Sequence, residues 1–190
     1  VVVHLAAQAG VRYCEEFKEE AHANNVETTE RLLNKALLAY DEDLLHFVSA
    51  SSSSVYGCLP RPWHEGLEPA PEGVYANTKK RGEQLCREYA ARRTEEKKER
   101  PGVAVACLRF FTVYGPEGRP DMAPGKFMDL IHRGKPIPIF GDGTALRDFT
   151  FIDDIIQGIV RVIDRPRPFE IYNLGRGSTI PHSVLDLIKA

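Results

Sequence analysis

Short apolar runs alternate along this chain with longer segments of helical periodicity, and no other feature of the sequence restricts the fold as strongly. The apolar runs span residues 1–5, 44–50 and 103–109, and the helical segments lie at about 25–40 and 75–98. This alternation predicts an α/β fold whose parallel sheet is built through right-handed crossovers. Because parallel sheets bind ligands at the carboxyl ends of their strands, functional residues are expected just after the apolar runs.

The pattern changes after residue 115, where the elements become short and Gly and Pro are frequent. The predicted elements are a loop at 115–125, helices near 126–133 and 153–163, strands at 137–140 and 170–174, and a Gly-Asp-Gly turn at 141–143. We therefore predict two domains, 1–115 and 116–190, with some later segments returning to the first.

Charge and hydropathy exclude several classes of partner. The chain has 25 basic and 27 acidic residues, a formal net charge of -2, so no overall field attracts nucleic acid. The charged run at 92–100 mixes both signs and favours a solvated helix end. No apolar run approaches the roughly 18 residues of a membrane span, and no secretory signal is visible.

The four cysteines are Cys14, Cys58, Cys86 and Cys107. None belongs to a Cys-x-x-Cys motif, and none has a Cys or His neighbour at zinc-ligand spacing. We expect reduced thiols in a cytoplasmic compartment and no bound metal.

Tyr75 and Lys79 are four residues apart on a predicted helix and therefore share one face. Tyrosine is a poor base at neutral pH, but a nearby ammonium favours its phenolate, which can take a proton from an alcohol. Tyr-x-x-x-Lys is frequent by chance, so the pair alone is equally typical of an exposed surface.

Small and hydroxyl-bearing residues follow two of the predicted strands. The run Ser51-Ser-Ser-Ser54 ends the second strand, and its hydroxyls can bind a substrate oxygen, although a polar turn is the alternative. Ala6 and Ala7 follow the first strand, where a cofactor can approach the backbone closely. Together with Tyr75 and Lys79, these residues predict alcohol oxidation at a nucleotide site.

Six segments form a specific set of motifs. They are His4-Leu-Ala-Ala-Gln-Ala-Gly-Val-Arg12, Ser51-Ser-Ser-Ser-Val-Tyr-Gly57, Tyr75-Ala-Asn-Thr-Lys-Lys80, Leu108-Arg-Phe-Phe-Thr-Val-Tyr-Gly-Pro116, Gly118-Arg-Pro-Asp-Met-Ala123 and Arg147-Asp-Phe-Thr-Phe-Ile-Asp-Asp154. In this order they resemble the extended short-chain dehydrogenase/reductase family, and most closely its UDP-glucuronate 4-epimerases. The resemblance spans nearly the whole chain. It implies a partial Rossmann-like doubly wound parallel sheet, tightly bound NAD, and part of a smaller region that binds a UDP-sugar.

The resemblance also implies catalytic and cofactor-binding residues. Tyr75 would be the base, Lys79 would hold the nicotinamide ribose, and Ser52 would be the hydroxyl partner at the sugar's 4-position. The residues implied in cofactor binding are Ala6, Ala7, Gln8, Asn25, Ser51, Tyr75, Lys79 and Phe110. His4 is expected to be a satisfied strand histidine, and Glu83 is expected on the helix surface.

The residues implied in substrate binding are Ser53, Thr112, Arg119, Lys126 and Arg147. Arg147 would contact the UDP phosphates, because guanidinium pairs strongly with phosphate. Ser53, Thr112 and Arg119 would hold the sugar carboxylate. Two alternatives stay open: Arg119 positions only its own loop, or Arg147 forms a surface pair with Asp148.

The implied reaction is a transient oxidation of the sugar at C4. Dehydratases and decarboxylases of the family place a carboxylic acid after the catalytic hydroxyl, whereas this chain has Ser53 and Ser54. That difference favours epimerisation of UDP-glucuronate to UDP-galacturonate. UDP-glucose 4-epimerase, another nucleotide-sugar epimerase or dehydratase, and a non-catalytic NAD-binding scaffold are the alternatives.

The family's Gly-rich phosphate loop and its ribose-binding acidic residue would precede Val1, and a UDP-binding region would follow Ala190. We therefore expect a fragment, inactive by itself, of a longer enzyme. Relative to the family, the charged run at 92–100 would be an insertion. The helices at 25–40 and 75–95 resemble those that form the family's dimer interface, which predicts a homodimer. Some relatives carry an amino-terminal membrane anchor, so an anchored parent stays open.

Overall fold

The structure, a computed structural model, describes residues 1–39, 46–96, 103–139, 141–177 and 181–189. Two compact units divide the chain. Unit 1 comprises Val1–Arg109 and Ile159–Asn173, and unit 2 comprises Phe110–Gly158 and Leu174–Ala190. The assignment of substrate binding to 116–190 stays a prediction.

Strands and helices alternate through the described residues. The strands are β1 Val2–His4, β2 His46–Ser52, β3 Ala104–Phe110, β4 Thr112–Tyr114, β5 Leu146–Arg147, β6 Phe149–Phe151, β7 Glu170–Leu174 and β8 His182–Ser183. The α-helices are α1 Val11–Glu16, α2 Lys18–His22, α3 Thr28–Ala39, α4 Gly73–Glu96, α5 Ala123–His132, α6 Ile152–Ile163 and α7 Val184–Lys189. A π-helical turn, Ala23–Glu27, precedes α3, and a 3-10 turn, Ser53–Tyr56, follows β2.

Unit 1 is built on a four-stranded sheet in the order β1-β2-β3-β7. The strands β1 and β2 are parallel, with Val2 opposite Phe47 and His4 opposite Ser49. The predicted α/β class with a parallel sheet is therefore confirmed.

The core of unit 1 lies between this sheet and the helices α3 and α4. Its buried residues are Val26, Leu33, Phe47, Leu85, Cys86, Tyr89, Ala90, Val103, Val105 and Cys107. All four cysteines are free thiols, and only Cys58 is exposed.

The apolar run at residues 1–5, which is typical of a strand covered on both faces, is covered on one face only by the described residues. Val1, Val3 and Leu5 are 69%, 38% and 51% exposed, whereas His4 is buried. Because β1 ends the described sheet and its side chains alternate in direction, one face packs inward and the other faces solvent.

Helical structure in unit 1 begins earlier than the predicted start at residue 25. Two short helices and the π-turn precede α3, and the π-turn directs Asn25 and Val26 inward. The start of α4 is fixed by Glu15, whose Oε1 accepts from the backbone N–H of Val74 at 2.6 Å. A carboxylate there stabilises the positive end of the helix.

Other predictions about helices concern the charged run and membrane crossing. Residues 97–100 of the predicted insertion lie outside the described residues, as does residue 40 of the predicted helix at 25–40. Within the part of the chain that the structure covers, none of the helices has the length and apolar character that a bilayer crossing requires.

The described residues of unit 2 form two small sheets. The strands β4 and β6 pair in parallel, and β5 and β8 pair in antiparallel fashion. The strand predicted at 137–140 is absent over 137–139, and residue 140 lies outside the described residues.

Candidate active site

Ser52 ends β2 and begins the 3-10 turn. Its backbone is extended, with φ -151° and ψ 146°, and its Oγ accepts from the backbone N–H and the hydroxyl of Ser54 at 3.2 and 3.0 Å. Both bonds use Ser52 Oγ as the acceptor, so its own O–H is still available to donate to a ligand oxygen. The strand end is therefore held with a hydroxyl donor in place.

Tyr75 and Lys79 lie on α4, which packs against β2 and the 3-10 turn. Lys79 Nζ donates to the backbone carbonyl of Ala50 at 2.9 Å and lies 5.9 Å from the centroid of the Tyr75 ring. Lys79 is 9% exposed, and this burial lowers its pKa to about 8. The structure thus brings the Tyr-Lys pair to the strand that ends in Ser52.

Glu83 lies in the interior, and the prediction of a surface position is wrong. It is 6% exposed, and its Oε1 accepts from the Ser51 hydroxyl at 2.6 Å. Arg109, at the end of β3 and 1% exposed, donates to both Glu83 oxygens at 2.8 and 2.7 Å. The spacing of Tyr75, Lys79 and Glu83 by four residues each is the signal that could have placed Glu83 inward.

Asn25 holds the segment that follows β1. Its Oδ1 accepts from the backbone N–H of Gln8 at 2.7 Å, and its Nδ2 donates to the carbonyl of Gln8 at 3.1 Å and to Thr78 Oγ1 at 3.0 Å. Thr78 precedes Lys79 on α4. The side chain of Asn25 therefore ties the segment of Ala6, Ala7 and Gln8 to the helix that carries the Tyr-Lys pair.

A small cavity of about 10 Å³ lies beside the Lys79 amine, with room for about one water molecule. His4 lines it and shares a hydrogen bond of 3.0 Å between its Nε2 and Thr29 Oγ1. Burial lowers the pKa of His4, and the nearby Lys79 charge lowers it further. Neutral and hydrogen-bonded, His4 is a satisfied strand histidine, as expected.

The residues predicted to bind substrate, apart from Ser53, lie in unit 2. Thr112 begins β4 and donates its backbone N–H to the carbonyl of Asp148 at 3.0 Å. Lys126 lies in the first turn of α5. Arg119 donates to both oxygens of Asp121, at 3.0 and 2.5 Å, and this bond lowers the pKa of Asp121. That contact matches the alternative in which Arg119 orders its own loop.

Arg147 and Asp148 have separate contacts within unit 2. Arg147 is exposed on β5, and its Nη1 donates to the carbonyl of Leu146 at 2.9 Å. The Asp148 carboxylate instead accepts from the backbone N–H groups of Arg176 and Gly177 at 3.1 and 3.2 Å. Asp148 thus anchors the loop after β7, a role that the sequence analysis missed.

A family model described as NAD dependent epimerase/dehydratase matches residues 1–175. The chain is 41% identical over 189 residues to a UDP-glucuronate 4-epimerase of Thermodesulfobacterium geofontis, covering 99% of this chain and 54% of that protein. The chain therefore spans about half the length of the curated relatives it matches.

Solved structures of proteins with bound UDP-sugar and NAD also match this chain over nearly its whole length. A Bacillus cereus UDP-glucuronic acid 4-epimerase in complex with UDP-glucuronic acid and NAD is 37% identical, with a TM-score of 0.84, over 98% of this chain and 57% of that one. MoeE5 in complex with UDP-glucuronic acid and NAD is 38% identical, with a TM-score of 0.89, over 99% and 60%. MoeE5 was also solved with UDP-glucose and NAD, at a TM-score of 0.86 and the same coverage.

Proposed function

This chain belongs to the NAD dependent epimerase/dehydratase family, and from that premise we propose that the whole protein is a nucleotide-sugar 4-epimerase. Its reaction would interconvert UDP-glucuronate and UDP-galacturonate. The structural observation that most supports this proposal is the junction of α4 with β2, where Lys79 contacts both the Ala50 carbonyl and the Tyr75 ring. The relatives named as UDP-glucuronate 4-epimerases support the choice of sugar.

The residues present fit NAD. Ala6 is exposed and Ala7 half-buried at the carboxyl end of β1, and Asn25 fixes the Gln8 backbone next to them. Small side chains on a fixed backbone allow a nucleotide to approach closely. The residues that would hold NAD are Ala6, Ala7, Gln8, Asn25, Ser51, Tyr75, Lys79 and Phe110.

Proton transfer at C4 is the task of the chain's own residues. The Tyr75 phenolate, favoured by the Lys79 ammonium, would take the proton of the sugar's 4-hydroxyl while the Ser52 hydroxyl binds the same oxygen. Bound NAD supplies the acceptor for the C4 hydride and its return. The 4-keto sugar would turn about its bond to UDP, and Tyr75 would reprotonate the alcohol of the opposite configuration.

For the 4-keto sugar to turn, the protein must bind UDP tightly and the sugar more loosely. Exposed on β5, Arg147 has a guanidinium suited to the diphosphate. The sugar carboxylate would be held by Ser53 and Thr112, with Lys126 nearby in the substrate region. Arg119 would first have to exchange Asp121 for that carboxylate.

A carboxylate held in this way would also protect the intermediate. The 4-keto acid loses carbon dioxide readily, and fixing its carboxylate prevents the alignment needed for that loss. We predict that Thr112→Ala in the whole protein raises the yield of UDP-pentose, measured by mass spectrometry of the nucleotide products. An unchanged yield of UDP-pentose would refute this role for Thr112.

The decisive experiment is conversion without added cofactor. Whole protein incubated with UDP-glucuronate is expected to form UDP-galacturonate, because NAD is regenerated and stays bound. Conversion of UDP-glucose instead would reassign the substrate, an outcome that the two MoeE5 complexes make worth testing. No conversion of either sugar would overturn the proposal.

A homodimer through the helices at 25–40 and 75–95 is expected, and sedimentation of the whole protein at twice its chain mass would support it. The four free thiols are typical of a reducing compartment, which favours the cytoplasm. Cell fractionation tests this location and also tests for an anchored parent.

A further inference from the structure

We propose that Glu83 and Arg109 are positioning residues that hold the helix of the Tyr-Lys pair in register with the strand end of Ser52. The inference rests on the proposed epimerase function and deepens it. None of the roles drawn from the motifs includes these two side chains. Their buried pairing places them directly behind the proposed site.

One carboxylate joins three elements of unit 1. Glu83 lies on α4, one helical turn after Lys79 and on the same face. It accepts from Ser51 on β2 at 2.6 Å, and its two oxygens accept from Arg109 on β3 at 2.8 and 2.7 Å. Two parallel N–H···O bonds to a guanidinium fix orientation as well as distance. The carboxylate therefore fixes α4 against both strands.

A second contact, one helical turn away on α4, also fixes the position of this helix along β2. Lys79 Nζ donates to the carbonyl of Ala50, the residue before Ser51. Two consecutive residues of β2 are thus bound by side chains four apart on α4, and Ser52 comes next. A slide of α4 by one residue, about 1.5 Å, would break both contacts.

Arg109 also contacts the turn that follows Ser52. Its guanidinium carbon lies 4.7 Å from the centroid of the Tyr56 ring, at the end of the 3-10 turn. The pair consequently supports the segment on both sides of Ser52, through the Ser51 hydroxyl and through the Tyr56 ring.

Stability is a weak reason for keeping such a pair. Glu83 and Arg109 are 6% and 1% exposed, and replacing a buried ion pair with apolar residues of similar size is often neutral or stabilising. Catalysis is different, because misplacing a reacting group by about 1 Å can cost on the order of 10²-fold in rate. The pair is therefore expected to matter more for turnover than for folding.

The test uses the whole protein with its bound NAD and the double variant Glu83→Met/Arg109→Met, which removes both charges of the buried pair together. We expect a melting temperature close to that of the parent, kcat lowered about 10- to 100-fold, and an unchanged KM for the UDP-sugar. A folded double variant with kcat within about twofold of the parent would overturn the inference. If the double variant does not fold, Glu83→Gln takes its place in the test. A lowered kcat with an unchanged KM would then support the inference, and an unchanged kcat would overturn it.

Two controls lie on the same helix. Glu88→Gln breaks an exposed ion pair with Arg81 and should leave kcat unchanged. Leu85→Ala opens the core beside Glu83 and should lower the melting temperature while keeping kcat at temperatures well below it. An equal loss of kcat in Leu85→Ala would show a general loss of packing and would refute positioning.

The parent protein separates this inference from the proposed function. If the parent converts no UDP-sugar, the proposed function fails before any variant is compared. If the parent is active and the folded double variant is equally active, the positioning inference alone fails.

Discussion

Replacing Lys79 with Met is expected to stabilise the protein near pH 7 while removing a catalytic group. Burial lowers the pKa of Lys79 from 10.5 to about 8. Since a tenfold change in a protonation equilibrium is worth about 1.4 kcal/mol, keeping this amine charged costs the folded state about 3 kcal/mol. Met forfeits the bond to the Ala50 carbonyl, worth about 1 kcal/mol. The net gain is about 2 kcal/mol in the free energy of unfolding.

The pH dependence of this gain has a definite sign. Below pH 8 the amine is charged in both the folded and the unfolded chain, so the full cost is present. Between pH 8 and 10.5 the unfolded chain keeps a proton that the folded chain has lost, so the parent's free energy of unfolding rises with pH. The advantage of Lys79→Met should therefore shrink across this range.

Urea unfolding of the whole protein, at about pH 7 and about pH 10 with equal nucleotide content, measures the effect. Lys80→Met is the matched control, because Lys80 is the next residue, is less buried and donates to the Pro69 carbonyl at 2.8 Å. Lys80→Met should therefore lack the gain of about 2 kcal/mol that is expected for Lys79→Met at about pH 7. A Lys79→Met protein that is less stable than the parent at neutral pH, or whose advantage does not change with pH, would refute the reasoning.

Asn25→Ala should lower the free energy of unfolding by about 2–3 kcal/mol, measured by urea titration, and weaken NAD binding, measured by calorimetry. Asn77→Ala, on the surface of α4, should change neither quantity. Gly57→Ala should cost about 2–3 kcal/mol, because φ is +55° and the new Cβ would stand 2.0 Å from the Ala70 carbonyl oxygen; an unfolding midpoint equal to the parent's would contradict this. The kcat should fall as pH rises through about 8, because Lys79 then loses its proton, and a flat kcat profile from about pH 7 to 9 would exclude that link.

The fold class follows from the sequence because it depends on periodicity that is local. Strands β2, β3 and β7 lie within two residues of the segments predicted for them, and α4 begins two residues before Tyr75. The short helices before α3 were missed, because their 5–6 residues span less than two turns and a period cannot be read from so few. Solvent on one face of β1 was missed because an apolar run does not say which neighbours will cover it.

Only the residues of the candidate site that belong to a recognisable sequence motif could be predicted. Tyr75 and Lys79 were found because an i, i+4 pair has a readable chemistry. Glu83 was not, since a glutamate on a polar helix is usually exposed, and the partners that make its burial tolerable, Arg109 and Ser51, are 26 and 32 residues away. Asp148 was likewise considered only as a surface partner of the neighbouring arginine. The i, i+4 spacing from Lys79 could have placed Glu83 on the inward face, but the identity of a long-range polar partner has no local sequence signature.

The fate of the hydrogen at C4 tests the proposed reaction most directly. UDP-glucuronate carrying deuterium at C4 would be converted by the whole protein in ordinary water, and the product examined by NMR and mass spectrometry. Transient oxidation, with Tyr75 moving only the hydroxyl proton, predicts that the deuterium is retained at C4 of UDP-galacturonate and that turnover is slower. Replacement of that deuterium by solvent hydrogen would contradict the mechanism.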